Sequence, residues 1–352
     1  MSSTLPQAAA ASKADNARIA CGIIVRKALE SGIMDDVRAG KTRALVICGA
    51  TGTGKSEVAE LVAAELDAEI VSADSMQVYR GMDIGTAKMP AEKRGCPYHC
   101  IDIVDPGDVY SAALYQDDAR EAIDGIVSRG RLPIVCGGTG LYIRAAVDDM
   151  RFPKGDQTGN PVRIYYEEYA EEHGSQALYE LLVVRDPRSA ELIHPNNVRR
   201  VVRAFEMLEE GENYADQAAG MKEFSPFIDS LHFGLTMETS NLYPAIDARV
   251  DRMMEQGLLD EVADLVARGY RDAMTSMQAI GYKEFLDIVC KGDAGDRVYD
   301  AGYGQRLADA VDSVKRSTRR YSKRQRTWFR RDPRIEWLWM DAEDGHLERS
   351  ER

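Results

Sequence analysis

No run of 18 apolar residues occurs in the 352-residue chain, so a transmembrane helix is not expected. The first 18 residues are rich in Ala and Ser but lack an apolar central stretch, and they do not read as a secretory signal. The six cysteines, Cys21, Cys48, Cys96, Cys100, Cys136 and Cys290, supply no second CxxC or HxxxH partner for Cys96-Pro-Tyr-His99-Cys100. That cluster offers three zinc donors and no fourth, so a loop entering a strand at Ile101 is the preferred reading. Cys48 and Cys136 lie in apolar runs and read as free buried thiols of a reducing, cytoplasmic compartment. Positive charge is in deficit: 45 Lys and Arg against 58 Asp and Glu leave a net charge of −13. Such a total argues against non-specific nucleic-acid binding by the whole surface but not against a local basic patch. No internal repeat is evident, and 44% apolar with 29% charged residues excludes disordered or collagen-like chains. At roughly 150 residues per domain, about two domains are expected.

What is present begins with Ala44-Leu-Val-Ile-Cys48, a short apolar run that reads as a strand. It leads into Gly49-Ala50-Thr51-Gly52-Thr53-Gly54-Lys55-Ser56, which fits GxxxxGK[ST] at every fixed position, and then into a helical pattern from Ser56 to Leu66. The amides of such a loop and the helix N-terminus surround phosphate oxygens. Lys55 would neutralise terminal phosphate charge, and Ser56 can offer its hydroxyl to Mg²⁺. The loop alone does not distinguish a nucleotide from another phosphate ligand. No apolar run ends in the usual Walker-B acid. The acid at a strand end is instead Asp74, after the strand Glu69–Ala73, where it can hold magnesium, act as a general base or merely cap a turn. Thr86 and Lys88 can extend a polar wall, with Lys88 as solvated surface the alternative.

Further strands are expected at 101–104 and 133–136, with a helix over 111–128 between them. Strand and helix in alternation imply a mostly parallel sheet covered on both faces. The expected architecture is α/β: a P-loop NTPase-like core of mostly parallel sheet flanked by helices, plus a helical insertion domain. The boundaries are a partly helical or flexible extension at 1–43, the first part of the core at 44–143 and a mainly helical insert at 144–229. Core completion with a basic helical region follows at 230–334, and a tail at 335–352. Within these, Ile19–Val37 reads as one helix, Val162–Glu172 and Val198–Glu210 as helices, and Leu178–Val184 as helix or strand. Leu231–Met237 reads as a returning strand, and Asn241–Ala267 and Leu307–Arg330 as helical.

Several longer segments carry a family resemblance. They are GATGTGKS (49–56), SADSMQVYRGMDIGTAK (72–88), HCIDIVDP (99–106), YSAALYQDDA (110–119), PIVCGGTGLYI (133–143), HPNNVRRVVRAFE (194–206), MQAIGYKE (277–284) and STRRYSKRQRTWFR (317–330). In this order they resemble the tRNA dimethylallyltransferases, or isopentenyltransferases. The resemblance implies that dimethylallyl diphosphate rests its diphosphate on the P-loop with Mg²⁺. The N6 amine of adenosine 37, just 3′ of the tRNA anticodon, then attacks the allylic carbon and diphosphate leaves. It casts Asp74 as general base and Thr139, in Gly137-Gly138-Thr139-Gly140, as part of a second substrate loop. Arg249 matches a family arginine that contacts diphosphate, with a helix-surface role as the alternative. Ser75, Gln77, Tyr79, Asp102 and Gln278 are candidates for contact with the target base or its neighbours, with local turn or helix bonding the alternative for the two glutamines. The insert is implied to touch the anticodon stem-loop.

The carboxy-terminal segment holds the missing positive charge. Lys315, Arg316, Arg319, Arg320, Lys323, Arg324, Arg326, Arg330 and Arg331 are nine basic residues within 17, with no acid among them. At helical spacing they form a broad cationic face suited to RNA phosphates, with Arg319, Arg320, Lys323 and Arg324 at its centre. The chain departs from the family at Asn197, where an Asp is usual; an Asn caps a helix equally well, whereas a catalytic charge would be lost. No cysteine follows Cys290, so the zinc-finger extension of some eukaryotic relatives is not expected, which resembles the bacterial form. No symmetric interface signature stands out, so a monomer without an obligatory protein partner or membrane is expected. Isopentenyl transfer to free adenine nucleotides, and a P-loop kinase or ATPase, are the competing readings.

Overall fold

The computed structural model describes residues 4–152, 160–221, 223–289 and 302–342. The chain forms two compact units, one from residues up to Val147 and from Pro226 onward, the other Asp148–Ser225. Six strands build the sheet of the first: β1 (Arg43–Gly49), β2 (Ala68–Ser72), β3 (Tyr98–His99), β4 (Leu132–Gly137), β5 (Asp229–Thr236) and β6 (Ile335–Trp339). Their order is β3-β2-β4-β1-β5-β6, and every neighbouring pair is parallel. β1 and β4 are central and buried along almost their whole length, which is why their sequences are continuous apolar runs rather than alternating ones.

Helices cover this sheet. α1 (Thr4–Glu30) buries Ala17, Ala20, Ile24 and Ala28 in the same core as Val58 and Val62 of α3 (Lys55–Leu66). The stripe follows the 3.6-residue helical period. Asn16 donates to the carbonyls of Met340 (3.1 Å) and Ala342 (3.3 Å), and Lys27 pairs with Glu336, so the amino-terminal helix is fastened to the carboxy-terminal edge of the sheet. The expected single helix over 19–37 is divided: Gly32, in the left-handed region at φ +70°, separates α1 from α2 (Ile33–Arg38). α4 (Ala112–Ser128) starts at Ser111, whose hydroxyl accepts the Leu114 N–H, and α5 (Gly140–Val147) follows β4 directly.

The second unit is helical. It comprises α6 (Pro161–Arg185), kinked at Gly174, then α7 (Pro187–Ala190), α8 (Val198–Glu209) and α9 (Tyr214–Gly220). Tyr166, Leu178, Leu182, Val201 and Phe205 form its core. Leu178–Val184 is therefore helix. Asn197 caps α8 by accepting the Arg200 N–H at 3.3 Å, the capping alternative raised for that departure.

In the first unit the chain continues through α10 (Thr239–Glu255), α11 (Leu258–Ala267), α12 (Leu286–Val289) and the long α13 (Tyr303–Phe329). The helical stretch expected at 241–267 is thus two helices, parted at Gly257 with φ +97°. Two other expectations fail. Residues 101–104 are not a strand; only an isolated bridge joins Tyr79 to Val104, and the paired residues lie earlier, at Tyr98–His99. Residues 335–339 are not tail but β6, because Ile335 and Leu338 are buried while Glu336 faces out. The tail from 343 lies outside the described residues. No helix among the described residues is long and apolar enough to cross a membrane.

Candidate functional site

β1 ends at Gly49, whose φ of +143° and packing against the Leu235 carbonyl leave no space for a side chain. The loop then turns into α3, which begins at Lys55. Lys55 Nζ donates to the Ala50 carbonyl at 2.9 Å, and the Thr53 hydroxyl donates to the same oxygen at 2.9 Å. Lys55 therefore lies over the loop, and Ser56 is exposed in the first turn of α3. A helix N-terminus at this point adds favourable potential for an anion.

Asp74 leaves β2 toward the same end of the sheet. Its Oδ1 accepts the Met76 N–H at 3.0 Å, which fixes the carboxylate in a local turn. The neighbouring Ser75 N–H donates to Thr139 Oγ1 at 3.1 Å, and the Thr139 N–H donates to the Ala73 carbonyl at 3.0 Å. Loops after β2 and β4 are thus joined. A cavity of about 320 Å³ opens here, lined on its polar side by Thr51, Asp74, Ser75, Arg249, Gln278 and Tyr321. Its apolar wall comes from Val250, Met253, Ile280 and Val314.

Of the charged groups lining the cavity, Asp74 is the carboxylate and Arg249, Lys283 and Arg324 are the cations, with Lys55 beside them over the loop. Burial pushes the Lys55 ammonium below its ordinary value, and nearby Arg249 adds to this while Asp74 opposes it. Burial likewise lowers Arg249, with Asp74 opposing. Burial, then the charge of Asp74, push the Tyr321 phenol up to about 12, so its hydroxyl remains a donor at neutral pH. Two cations kept out of bulk water favour an incoming anion that restores their charge balance.

Around the cavity are residues the sequence reading did not single out. The Glu261 carboxylate accepts the backbone N–H groups of Asp83, Ile84 and Gly85 at 2.7–3.1 Å and the Tyr282 hydroxyl at 2.7 Å. This shapes the segment that presents the Thr86 carbonyl to Arg249 (3.4 Å) and Gln77 (3.3 Å). From α13, Gln325 accepts the Thr51 N–H and donates to the Gly138 carbonyl, each at 2.9 Å. An isolated Glu in a helix-like LDEV and a Gln inside a run of cations carry no sequence signal for such contacts.

Of the sequence candidates, the loop 49–56, Asp74, Ser75, Thr139, Arg249 and Gln278 gather at this end of the sheet; from the loop only Thr51 lines the cavity, and the rest of the loop and Thr139 lie beside it. Gln77 is tied locally, between the Ser72 hydroxyl (3.0 Å) and the Thr86 carbonyl. Tyr79 is fully buried and presents no surface to RNA, a correction. Its residue type suits a core position as well as an interface. Asp102 is engaged within the protein: it accepts the Lys88 ammonium at 2.5 Å. Lys88 is not solvated, since it is buried between Asp83, Asp102 and the Tyr79 carbonyl. His99 is engaged by Glu69 at 2.7 Å, and Cys100 is buried.

The basic helix divides into two kinds of cation. Arg319 pairs with Asp247 and Lys315 with Asp251, each at 2.5 Å, so α10 already neutralises them. Arg319, a candidate for RNA phosphates, is thus already engaged within the protein. Arg320, Lys323, Arg324 and Arg331 are exposed and, with Thr327 and Trp328, line a shallow groove. Arg324 borders both that groove and the cavity.

Two family models match the chain: "IPP transferase" over residues 77–332 and "Isopentenyl transferase" over 42–95. A tRNA dimethylallyltransferase of Carboxydothermus hydrogenoformans is 44% identical over 297 residues, 84% of this chain and 91% of its own. That of Halalkalibacterium halodurans is 43% identical over 307 residues, 86% and 93% of the two chains. The crystal structure of a full-length tRNA isopentenylpyrophosphate transferase from Bacillus halodurans is similar at TM-score 0.59 and 41% identity, covering 87% of this chain and 93% of that one. A eukaryotic dimethylallyltransferase acting on tRNA is similar at TM-score 0.69 and 29% identity, over 85% and 74%. With a phosphate loop, a facing carboxylate and a cationic helix in one unit, and with these relatives spanning most of its length, the chain belongs to the tRNA dimethylallyltransferase family.

Proposed function

We infer that this protein transfers the dimethylallyl group of dimethylallyl diphosphate to N6 of adenosine 37 in tRNA and releases diphosphate. The observation that carries the reading is the cavity in which Asp74 faces Arg249 beside the P-loop, under a helix bearing exposed cations. The loop amides, Lys55 and Arg249 receive the diphosphate and stabilise the charge it gains as the allylic C–O bond breaks. Val250, Met253, Ile280 and Val314 hold the apolar tail and keep water from the allylic carbon. Asp74 orients the adenine N6 amine and takes its proton as the C–N bond forms. Gln278 borders the acceptor side, where an amide can pair with an adenine edge. The acceptor base must leave its stack, which costs a few kcal/mol, less in a loop than in a duplex. Exposed Arg320, Lys323 and Arg324 recover part of that cost from tRNA phosphates.

The donors near the loop, Ser56 and Asp74, are hard oxygens. Among the described residues no group of three or more His, Cys, Asp or Glu can cage a metal. This donor set suits Mg²⁺ carried largely by substrate phosphate oxygens, with Ser56 as its protein ligand. Bound there, Mg²⁺ would supply further charge neutralisation for the diphosphate. A tRNA substrate suits a cytoplasmic protein, and nothing in the reaction requires a second protein.

The test is transfer from labelled dimethylallyl diphosphate with Mg²⁺ to three acceptors separately: unmodified A36-A37 tRNA, AMP, and ATP. Nucleoside mass spectrometry should locate the added group on N6 of adenosine 37, with none on AMP. Transfer to AMP alone would move the protein to the free-nucleotide reading and leave the exposed cations of α13 without a purpose.

A further inference from the structure

We propose that Gln325 is a positioning residue: its side-chain amide sets the register between the phosphate loop and the loop that holds the Asp74 turn, and ties both to the RNA-facing helix. The proposal rests on the assignment of loop 49–56 to the donor and Asp74 to the acceptor.

Gln325 is buried inside the most cationic helix of the chain. Its Oε1 accepts the Thr51 N–H and its Nε2 donates to the Gly138 carbonyl, each at 2.9 Å. Thr51 belongs to the phosphate loop after β1, and Gly138 to the loop after β4. The next residue, Thr139, accepts the Ser75 N–H at 3.1 Å, and Ser75 follows Asp74. One chain of bonded groups therefore runs from the acceptor carboxylate to the donor loop, and its only side-chain amide is Gln325.

The helix is fitted to this task along one face. A methyl group on Gly138 would overlap the Gln325 amide, and one on Gly140 would overlap the Trp328 indole. Tyr321, one turn before Gln325, lies beside Thr139 and Asp74. Residues 321, 325 and 328 recur at helical spacing and rest on the loops, while 320, 323, 324, 327 and 331 lie on the adjacent face and line the basic groove, with Trp328 and Arg324 at the border of the two. The surface that takes RNA and the surface that aligns the reacting groups are two faces of one rigid element.

An amide is required because one group must accept from an N–H and donate to a C=O at once. An ionised carboxylate can do only the first, and a thioether accepts weakly and donates nothing. Displacement at the allylic carbon needs nucleophile, carbon and leaving group aligned, and a misplacement of about 1 Å can cost ~10²-fold in rate.

The experiment compares wild type, Gln325→Met and Gln325→Glu in single-turnover transfer to tRNA between pH 6 and 8, with the concentration dependence on tRNA and thermal unfolding measured alongside. Gln325→Met should lose about 10²-fold in rate. Its tRNA concentration dependence should stay within about threefold of wild type, because the phosphate-binding cations are untouched. Gln325→Glu should be as slow near pH 8, where its carboxylate opposes the Gly138 carbonyl. Relative to wild type it should recover toward pH 6, since a protonated carboxyl accepts and donates as the amide does. Taking the ratio to wild type at each pH removes the pH dependence that the two enzymes share. This recovery reads the two hydrogen bonds even if Gln325→Met folds poorly. A Gln325→Met rate within threefold of wild type, a loss expressed only as weaker tRNA binding, or a pH-independent Gln325→Glu ratio would each overturn the proposal. Lys55→Met reads the donor assignment separately: lost donor affinity there, with unimpaired transfer by Gln325→Met, rejects the role of Gln325 alone.

Discussion

Asp74→Asn separates the base from the scaffold that holds it. An Asn side chain retains an oxygen for the Met76 N–H, now accepted at 3.0 Å, so the turn after β2 should persist. What is lost is the proton acceptor and one negative charge. General-base catalysis contributes about 10²–10⁴-fold, which is ~2.7–5.4 kcal/mol at about 1.36 kcal/mol per decade. The charge change acts in the opposite direction on donor binding, because Asp74 is the carboxylate that offsets both Lys55 and Arg249. Removing it leaves a more positive cavity, so dimethylallyl diphosphate should bind at least as tightly as in wild type. Rapid-quench single turnover at saturating donor and tRNA, with donor affinity from calorimetry, measures both halves. Transfer within about threefold of wild type, or a rate loss matched by an equal loss of donor affinity, would refute the assignment of Asp74 as base.

Three other outcomes follow from named contacts. Changing Arg320, Lys323 and Arg324 together to Gln should flatten the plot of log tRNA affinity against log salt by about one unit per lost phosphate contact, whereas Arg319→Gln should leave the slope unchanged because Asp247 already neutralises it. Gly140→Ala should abolish transfer or lower stability, since the added methyl overlaps the Trp328 indole; normal transfer and melting would show that α13 can move aside. Burial alone would raise Glu69, but hydrogen bonds from Arg129, His99 and Arg131 outweigh it and hold the carboxyl at about 2, against an ordinary 4.5. A depressed carboxylate stabilises above its unfolded value and loses that contribution as pH falls through the folded one. Wild type should therefore exceed Glu69→Gln by about 1–3 kcal/mol at pH 7, the gap closing between pH 4.5 and 2 in denaturant titrations; a gap that persists at pH 2 would deny the linkage.

The parts of the molecule that were legible in the sequence are those in which one local segment carries the whole physical requirement. The P-loop needs glycines, a Lys and a hydroxyl within eight residues, and a strand buried on both faces must be apolar throughout, so β1 and β4 are visible as runs. Failure came where the requirement is tertiary. Tyr79 and Asp102 sit in family-like blocks, but their local sequence does not say that one is sealed in the core and the other answers a buried Lys88. β6 resembles a tail because an edge strand of five residues, Ile-Glu-Trp-Leu-Trp, has only a short alternation to show, and its burial depends on β5 and the amino-terminal helix. Composition misled in the same way. A net charge of −13 hides a helix of concentrated cations, and within that helix the sequence cannot separate Arg319, already matched by Asp247, from Arg320 and Lys323, which face solvent. Gln325 is the furthest case. Its neighbours Arg324 and Arg326 mark the segment as an RNA surface, yet the next helical face reaches Thr51 and Gly138, 274 and 187 positions earlier in the chain. A helix that must both hold a polyanion and align two loops has to place these demands on different faces, and only the folded chain reveals which residue serves which.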